Sequence, residues 1–112
     1  MHELSLCRAI SGVVARHAEG REVSAVHLDV GALRQVVPDS LVFCWGLANA
    51  DTPWAGSDLD VRLVPATIEC LECTTTTVLE EPFLVCPSCG SAAVTITAGE
   101  ELLVTSIDLV DA

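Results

Sequence analysis

The sequence predicts an α+β fold, in which two helices pack on a small three-stranded sheet and a separate lobe is inserted before the last strand. Three observations support this prediction. Residues 3–18 have apolar side chains at helical spacing, residues 23–30 and 58–64 alternate between apolar and polar side chains, and two cysteine pairs punctuate residues 67–98. The 112 residues are enough for one ordinary domain, or for one small domain that carries a still smaller lobe. We expect the second arrangement.

The first helix is predicted over Glu3–Ala18. Its apolar stripe has helical spacing and consists of Leu6, Ile10, Val13 and His17. We expect His17 to lie at the edge of the core and to form a hydrogen bond there rather than to bind a metal. A strand follows at Val23–Val30, with alternate apolar side chains facing the core and with His27 on the solvated face.

A second helix is predicted over Asp39–Ala50, directly after Pro38. This stretch is apolar almost throughout, so we expect the helix to be largely buried. A turn at Asp51–Ser57 leads to another strand at Asp58–Val64. The side chains of this strand that are expected to face inward are Leu59, Val61 and Leu63.

The end of the chain returns to strand character at Leu102–Leu109. A strand so late in the chain most simply pairs beside Asp58–Val64, which makes the intervening residues an insertion. We therefore predict a discontinuous α/β domain of residues 1–66 and 99–112, and an inserted domain of residues 67–98.

The charge of the chain argues against a nucleic-acid partner. The chain has 16 acidic residues against five arginines and no lysine, which gives a formal net charge of −11 at pH 7. Binding to a phosphate backbone requires clustered basic residues, and the arginines here are scattered singly. An acidic surface suits cations or the basic patches of partner proteins instead.

No segment is expected to cross a membrane, because the longest strongly apolar stretch, Leu41–Ala50, is far shorter than the roughly 20 residues that a bilayer requires. The N-terminus also lacks the basic start and the long apolar run of a signal peptide. We therefore expect a cytoplasmic, reducing location. In that compartment the six cysteines should be thiols or metal ligands before disulfides.

Two C-x-x-C pairs, separated by twelve residues, predict a zinc ribbon in the inserted lobe. The four cysteines are Cys70, Cys73, Cys86 and Cys89. Each pair lets two thiolates reach one ion from a single turn, and four thiolates close a tetrahedron with no open position for water. A closed site of this kind is structural. Iron in a rubredoxin-like tetrathiolate and disulfides remain alternatives, since the Cys-Pro-Ser-Cys-Gly sequence of residues 86–90 also occurs in rubredoxins.

The remaining candidates for chemistry are weaker. Cys7 and Cys44 lie in the predicted helices among apolar neighbours, so we expect them to act as small hydrophobic residues. The sequence has no Ser-His-Asp or Cys-His arrangement, no glycine-rich phosphate loop and no spaced carboxylate pair that would indicate catalysis. We therefore predict that the protein is not an enzyme.

The first three residues, Met1, His2 and Glu3, form a candidate metal chelate. A free terminal amine, the His2 backbone nitrogen once deprotonated, and the His2 imidazole offer three nitrogens in one plane. The Glu3 amide or an outside group can fill the fourth position. A planar nitrogen field suits Ni(II) or Cu(II) better than zinc. The alternative is an ordinary chain terminus, with Glu3 placed to complement the helix dipole.

Taken together, the initial Met-His-Glu, the helix-strand-helix-strand order, the four-cysteine insertion after Val64-Pro65-Ala66 and the final strand after Gly99-Glu100-Glu101 resemble the HypA/HybF family. Proteins of this family are nickel metallochaperones of hydrogenase maturation. The resemblance covers essentially the whole chain, and the combination of motifs is more specific than either metal motif alone.

The resemblance implies that Met1, His2 and Glu3 accept Ni(II), which is delivered to the large subunit of a [NiFe]-hydrogenase. It also implies a maturation GTPase as partner, and in some relatives urease maturation proteins. Structural zinc would bind Cys70, Cys73, Cys86 and Cys89. In the first cysteine turn Thr74 stands where the family usually has glycine, so we expect that turn to be strained or differently shaped.

Two other functions remain open from the residues. The chain could be a zinc-ribbon module that binds a protein partner and delivers no nickel, or a rubredoxin-like electron carrier with redox-active iron at the four cysteines. Neither alternative explains a histidine at position 2 beside a free amine.

Overall fold

A computed structural model describes residues 3–110. The elements, in chain order, are α1 (Glu3–Ala18), β1 (Val23–Gly31), a single 3-10 turn (Ala32–Arg34), α2 (Pro38–Ala48), β2 (Asp58–Val64), β3 (Ala66–Cys70), β4 (Thr76–Leu79), β5 (Val94–Ala98) and β6 (Leu102–Leu109). The predicted α+β class, with two helices, a three-stranded sheet and an inserted four-cysteine lobe, is confirmed. Within residues 3–110, neither helix has the length and apolar character that a membrane span requires.

The described residues divide into two compact units. We name the first the helical unit, which comprises residues 3–29, 36–62 and 103–110. The second, the ribbon unit, comprises residues 30–35 and 63–102. The predicted division into a nickel-binding α/β domain of residues 1–66 and 99–112 and a zinc-ribbon domain of residues 67–98 stays a prediction.

The first sheet has the strand order β2-β1-β6. The predicted pairing of the last strand with Asp58–Val64 is therefore wrong, because β1 lies between these two strands. Burial explains the order. Residues of β1 are almost all buried or half-buried, whereas β2 contains one buried residue and β6 contains none, so the most buried strand occupies the centre. In β2 Leu59 is buried as predicted, but Leu63 is 52% exposed.

The core of the helical unit contains the inner faces of α1 and α2, which pack against each other. The buried residues of α1 are Cys7, Ile10, Val14 and Ala18. The predicted stripe was rotated by about one residue and was wrong for His17, which is exposed. The buried face includes Cys7 instead, whose thiol donates to the carbonyl of Leu41 in α2 (3.6 Å).

Helix α2 is less buried than the sequence predicted. Leu41 and Trp45 are fully buried, but Phe43 is 69% exposed and Leu47 is 66% exposed. One face alone of this helix packs on α1, so an apolar sequence all around the helix leaves apolar side chains in solvent. The helix begins at Pro38, a residue suited to the first helical turn, and ends two residues earlier than predicted.

The ribbon unit contains the second sheet, with the order β4-β3-β5 and antiparallel pairing on both sides of β3. Ala66 and Ile68 of β3 form the buried face of this sheet. Glycine is required where Gly31 approaches Gly99, because a Cβ on Gly31 would collide with the Gly99 carbonyl. The close approach lets Leu33 donate its amide to that carbonyl (2.9 Å).

Candidate metal centre

The first cysteine turn follows directly from β3. The amide of Thr74 donates to the carbonyl of Cys70 (3.0 Å), and the amide of Cys70 donates to the carbonyl of Thr75 (3.0 Å). The amide of Cys73 also approaches the Cys70 sulfur (3.4 Å). These bonds fold the chain back on itself within six residues.

The second cysteine turn repeats this pattern. The amide of Gly90 donates to the carbonyl of Cys86 (2.7 Å), and the amide of Cys86 donates to the carbonyl of Ser91 (2.8 Å). Each C-x-x-C pair is therefore presented by the same backbone geometry, as the spacing predicted.

The two turns bring the four sulfurs together. All four sulfur atoms lie within 4.8 Å of one another, with Cys70 and Cys89 at 3.6 Å and Cys73 and Cys86 at 3.6 Å. A tetrahedral ion with metal–sulfur bonds of about 2.3 Å requires sulfurs about 3.8 Å apart, so the cluster has the dimensions of a zinc tetrathiolate. The cysteines are free thiols, since these separations are far longer than a disulfide bond of about 2.05 Å.

The first cysteine of each pair is buried and the second is exposed. Cys70 and Cys86 are each 1% exposed, whereas Cys73 and Cys89 belong to the solvent-exposed residues. The cluster therefore has an inner wall against the ribbon sheet and an outer rim toward water. No carboxylate or imidazole joins the sulfurs in the described part of the chain.

The thiols differ in acidity. A hydrogen bond with the Thr75 hydroxyl, 3.3 Å from the sulfur, is the largest influence on Cys73 and lowers its pKa to about 6. At Cys89 a backbone hydrogen bond with Ser91 lowers the pKa, but the hydrogen bond with Cys70, desolvation, and smaller contributions from the other two cysteines together outweigh it and raise the pKa to about 12. The close approach of the sulfurs thus opposes the loss of all four protons, and a bound cation would offset that cost.

Thr74 has a left-handed backbone, with φ of 63°. Gly90, at the matching position of the second turn, has φ of 77°. The conformation that the turn requires is therefore the same in both places, and a β-branched residue carries it in the first. Of the two expectations for this turn, strain or a different shape, the shared backbone conformation favours strain at Thr74.

The proposed N-terminal ligands are described in part. Met1 and His2 lie outside the described residues, and Glu3 is the first residue of α1 and is half-buried. Burial raises the pKa of Cys7, one turn further on, to about 11, with smaller contributions from Cys44 and Glu3. Cys7 is therefore a protonated, buried thiol, in agreement with its predicted role as a small hydrophobic residue.

Comparison with known families decides the relationship. The sequence model described as "Hydrogenase/urease nickel incorporation, metallochaperone, hypA" matches residues 1–109. The chain belongs to the HypA family. The match spans both units and includes the N-terminal residues and all four cysteines of the cluster. The predicted family is thus confirmed, and it is a family of metallochaperones rather than of catalysts.

Curated members of the HypA family are similar over nearly the full length. The hydrogenase maturation factor HypA of Geobacter sulfurreducens is 37% identical over 109 residues, covering 97% of this chain and 99% of its own. The protein of the same name from Nostoc sp. is 33% identical over 109 residues, covering 97% of this chain and 96% of its own.

Solved structures share the HypA fold. The solution structure of the Ni metallochaperone HypA from Helicobacter pylori superimposes with a TM-score of 0.71, at 20% identity, over 100% of both chains. A second solution structure, of a HypA protein, gives a TM-score of 0.63 at 21% identity, over 98% of this chain and 97% of that chain. At these identities the likeness concerns the fold.

One polar cluster of this HypA-family chain was missed in the sequence. His27 lies on a partly solvated face, since its side chain is 33% exposed, but the ring is not merely solvated as expected, because both of its nitrogens are paired with carboxylates. Nδ1 lies 2.9 Å from Asp60 of β2, and Nε2 lies 3.0 Å from Asp108 of β6. Each strand that flanks β1 contributes one acid, Asp60 from β2 and Asp108 from β6. The pairing could have been predicted from the sequence only if β1 were already known to be the central strand.

Proposed function

We propose that the chain is a nickel metallochaperone that binds Ni(II) at Met1, His2 and Glu3 and delivers it to the large subunit of a [NiFe]-hydrogenase. The observation that carries this proposal is the family match, which begins at residue 1 and continues to residue 109. The matched residues include both the Met-His-Glu start and the four-cysteine lobe. Either motif by itself is compatible with more than one function.

The chemistry of the N-terminus supports nickel as the cargo. The terminal amine, the deprotonated His2 amide nitrogen and the His2 imidazole are nitrogen donors that fall in one plane, and Ni(II) accepts such a planar field. Zinc prefers a tetrahedron and would go to the thiolates. The two metals are thus separated by ligand type and geometry. An N-terminal chelate with few donors also suits a cargo that must be released.

We assign structural zinc to Cys70, Cys73, Cys86 and Cys89. The sulfur separations fit a tetrathiolate, and two of the four sulfurs come from cysteines buried in the ribbon unit. When bound, zinc supplies charge to balance the thiolates and ties the two cysteine turns together. Formation of such sites is worth about 10–16 kcal/mol at neutral pH, which is ample for a lobe with so few buried apolar residues.

The partners that follow are those of nickel delivery. We propose that the partners are a maturation GTPase and the hydrogenase large subunit, with urease maturation proteins as further partners. We also propose a cytoplasmic location. The net charge of −11 suits contact with basic patches on such partners. The charge also disfavours nucleic acid.

Metal analysis of untagged protein tests the proposal. Protein loaded with zinc and nickel is analysed before and after mild chelation at a pH of about 7.5. Metal ligands must lose their protons to bind, so a more acidic buffer would weaken both sites. We expect one zinc that resists the chelator and one nickel that is stripped. Protein that retains zinc but never holds nickel would instead be a ribbon interaction module. Visible absorption from bound iron would indicate a rubredoxin-like centre.

A further inference from the structure

The ribbon unit has a groove beside β4, which we name the edge groove. Its walls are Thr77–Leu79 of β4 on one side and Phe83 and Val85 of the following segment on the other, and Glu80 and Glu81 also line it. Its volume is about 360 Å³. None of the four cysteines lines the groove, but Pro87 of the second cysteine turn does, so the groove borders that turn without including the sulfurs.

The groove runs along the free edge of β4. Thr77, Val78 and Leu79 are consecutive, and consecutive strand residues point to opposite faces of a sheet, so a groove that touches all three lies beside the strand and not above it. In the order β4-β3-β5 strand β4 is at the edge, with β3 on its other side. Its outward amides and carbonyls therefore face the groove.

The opposite wall does not pair with this edge through its own amides. Phe83 donates to the carbonyl of Glu81 (2.8 Å), and Val85 donates to the carbonyl of Phe83 (2.9 Å). Two successive local bonds satisfy these donors within the segment. The segment therefore flanks the β4 edge without completing the sheet.

The side chains at the groove are apolar and acidic. Val78 is 61% exposed and Phe83 is 67% exposed, which is a large apolar area for so small a unit. Glu80 and Glu81 are exposed beside them, and no basic residue lines the groove. The groove therefore combines an unpaired strand edge, apolar walls and local negative charge.

We propose that the edge groove binds an extended segment of a partner protein in which basic and apolar residues alternate, and that this segment adds to β4 as a fourth strand. Backbone bonds to Thr77–Leu79 would supply pairing, Val78 and Phe83 would receive the apolar side chains, and Glu80 and Glu81 would pair with the basic ones. A second copy of this chain fits poorly, since it would bring a like-charged groove and a net charge of −11 to the same edge.

The test uses the full-length, zinc-loaded protein and a fluorescein-labelled ten-residue peptide of alternating Arg and Val. We expect saturable binding by fluorescence anisotropy that weakens as salt is raised. A peptide of alternating Glu and Val should not bind. Hydrogen exchange followed by NMR should slow for at least one amide within Thr77–Leu79 when the Arg-Val peptide is bound, because outward amides of the edge strand become paired.

Matched variants separate the groove from general surface attraction. Phe83→Ser and the double variant Glu80→Lys/Glu81→Lys should each weaken binding at least tenfold. Leu63→Ser and Glu100→Lys, which change an exposed apolar residue and an exposed acid of the same unit outside the groove, should leave binding within twofold. Circular dichroism and zinc content confirm that each variant is folded.

Several results would overturn the proposal: no saturable binding of the Arg-Val peptide, equal losses in the groove and control variants, or unchanged exchange at Thr77–Leu79. A dimer in sedimentation equilibrium that Phe83→Ser dissociates would show that a second copy, and not a basic partner segment, occupies the groove.

Discussion

Thr74 occupies the position in the first cysteine turn that Gly90 occupies in the second, and both residues have left-handed backbones, with φ of 63° and 77°. Each donates its amide to the carbonyl of the first cysteine of its turn, Thr74 at 3.0 Å and Gly90 at 2.7 Å. The metal centre is therefore built from two equivalent turns. In the first turn, the left-handed position is occupied by threonine, a β-branched residue that disfavours this conformation.

Replacing Thr74 by glycine should raise the free energy of unfolding by about 0.5–1 kcal/mol. A left-handed conformation costs an L-residue with a Cβ roughly 1–2 kcal/mol, and the extra freedom of glycine in the unfolded chain offsets about 0.5–1 kcal/mol of that gain. Chemical denaturation of zinc-loaded protein measures the change. As a control, Thr76→Gly in β4 should destabilise. A Thr74→Gly protein less stable than the parent would show that the turn is not strained.

Loss of one zinc ligand should unfold the cysteine lobe and spare the helices. Cys70→Ala or Cys89→Ala leaves three thiolates, which no longer close the tetrahedron, whereas α1 and α2 have a core of their own. We expect loss of bound zinc with most of the helical circular dichroism signal retained, and Cys44→Ala as the control should retain zinc. Complete loss of the helical signal would contradict the division into two units.

The pairing of His27 with two carboxylates should make stability depend on pH. Hydrogen bonds with Asp108, first, and with Asp60 raise the pKa of His27 in the folded protein. The protonated ring is thus favoured on folding. Its contribution is fully present below the unfolded pKa of about 6.5 and is lost as the pH rises through the raised folded value.

We therefore expect His27→Gln to lose more stability at about pH 6 than at about pH 9, because the wild-type ring is charged at the lower pH. Denaturation at both pH values measures the two differences, and Asp60→Asn/Asp108→Asn should reduce the pH dependence. An NMR titration of the ring in the parent should show the raised pKa directly. Equal losses at both pH values would mean that the carboxylates do not hold a charged histidine.

Local features of the fold could be predicted from the sequence where the signal was local. The bounds of α1 follow from its apolar periodicity and from Gly20 just after its end, and the cysteine turns follow from the C-x-x-C spacing. Each of these signals lies within a few neighbouring residues. The place of β6 beside β1 could not be predicted in this way, since three strands of similar apolar pattern allow more than one order. The exposed face of α2 was missed for a related reason, because sequence does not tell how many faces of an apolar helix find a partner.

The candidate sites divide along the same line. The sulfur cluster was predicted because its ligands come in two local pairs with a diagnostic spacing. The contacts of His27 join three strands and depend on their order, so no local pattern announced them. The nickel ligands were predicted from the chemistry of a free amine beside a histidine, and the next two experiments test that prediction in solution.

Nickel affinity should fall as the pH is lowered from about 8 to 6. The His2 imidazole and the terminal amine have ordinary pKa values of about 6.5 and 7.7–8.0, and protons compete with the metal for the same lone pairs. Isothermal titration across this range measures the effect on untagged protein, and zinc content measured in the same samples is the control. A constant nickel affinity would exclude this chelate.

The most direct measurement is isothermal titration of Ni(II) into three zinc-loaded proteins: the untagged chain, the chain extended by one residue before Met1, and His2→Ala. The extension converts the amine of Met1 into a neutral amide, and His2→Ala removes the imidazole. Because each change lies at the end of the chain, stability should shift by less than about 1 kcal/mol. The account predicts tight nickel binding by the untagged chain, its loss in the other two, and unchanged zinc in all three. Nickel binding by the extended protein as tight as that of the untagged chain would contradict it.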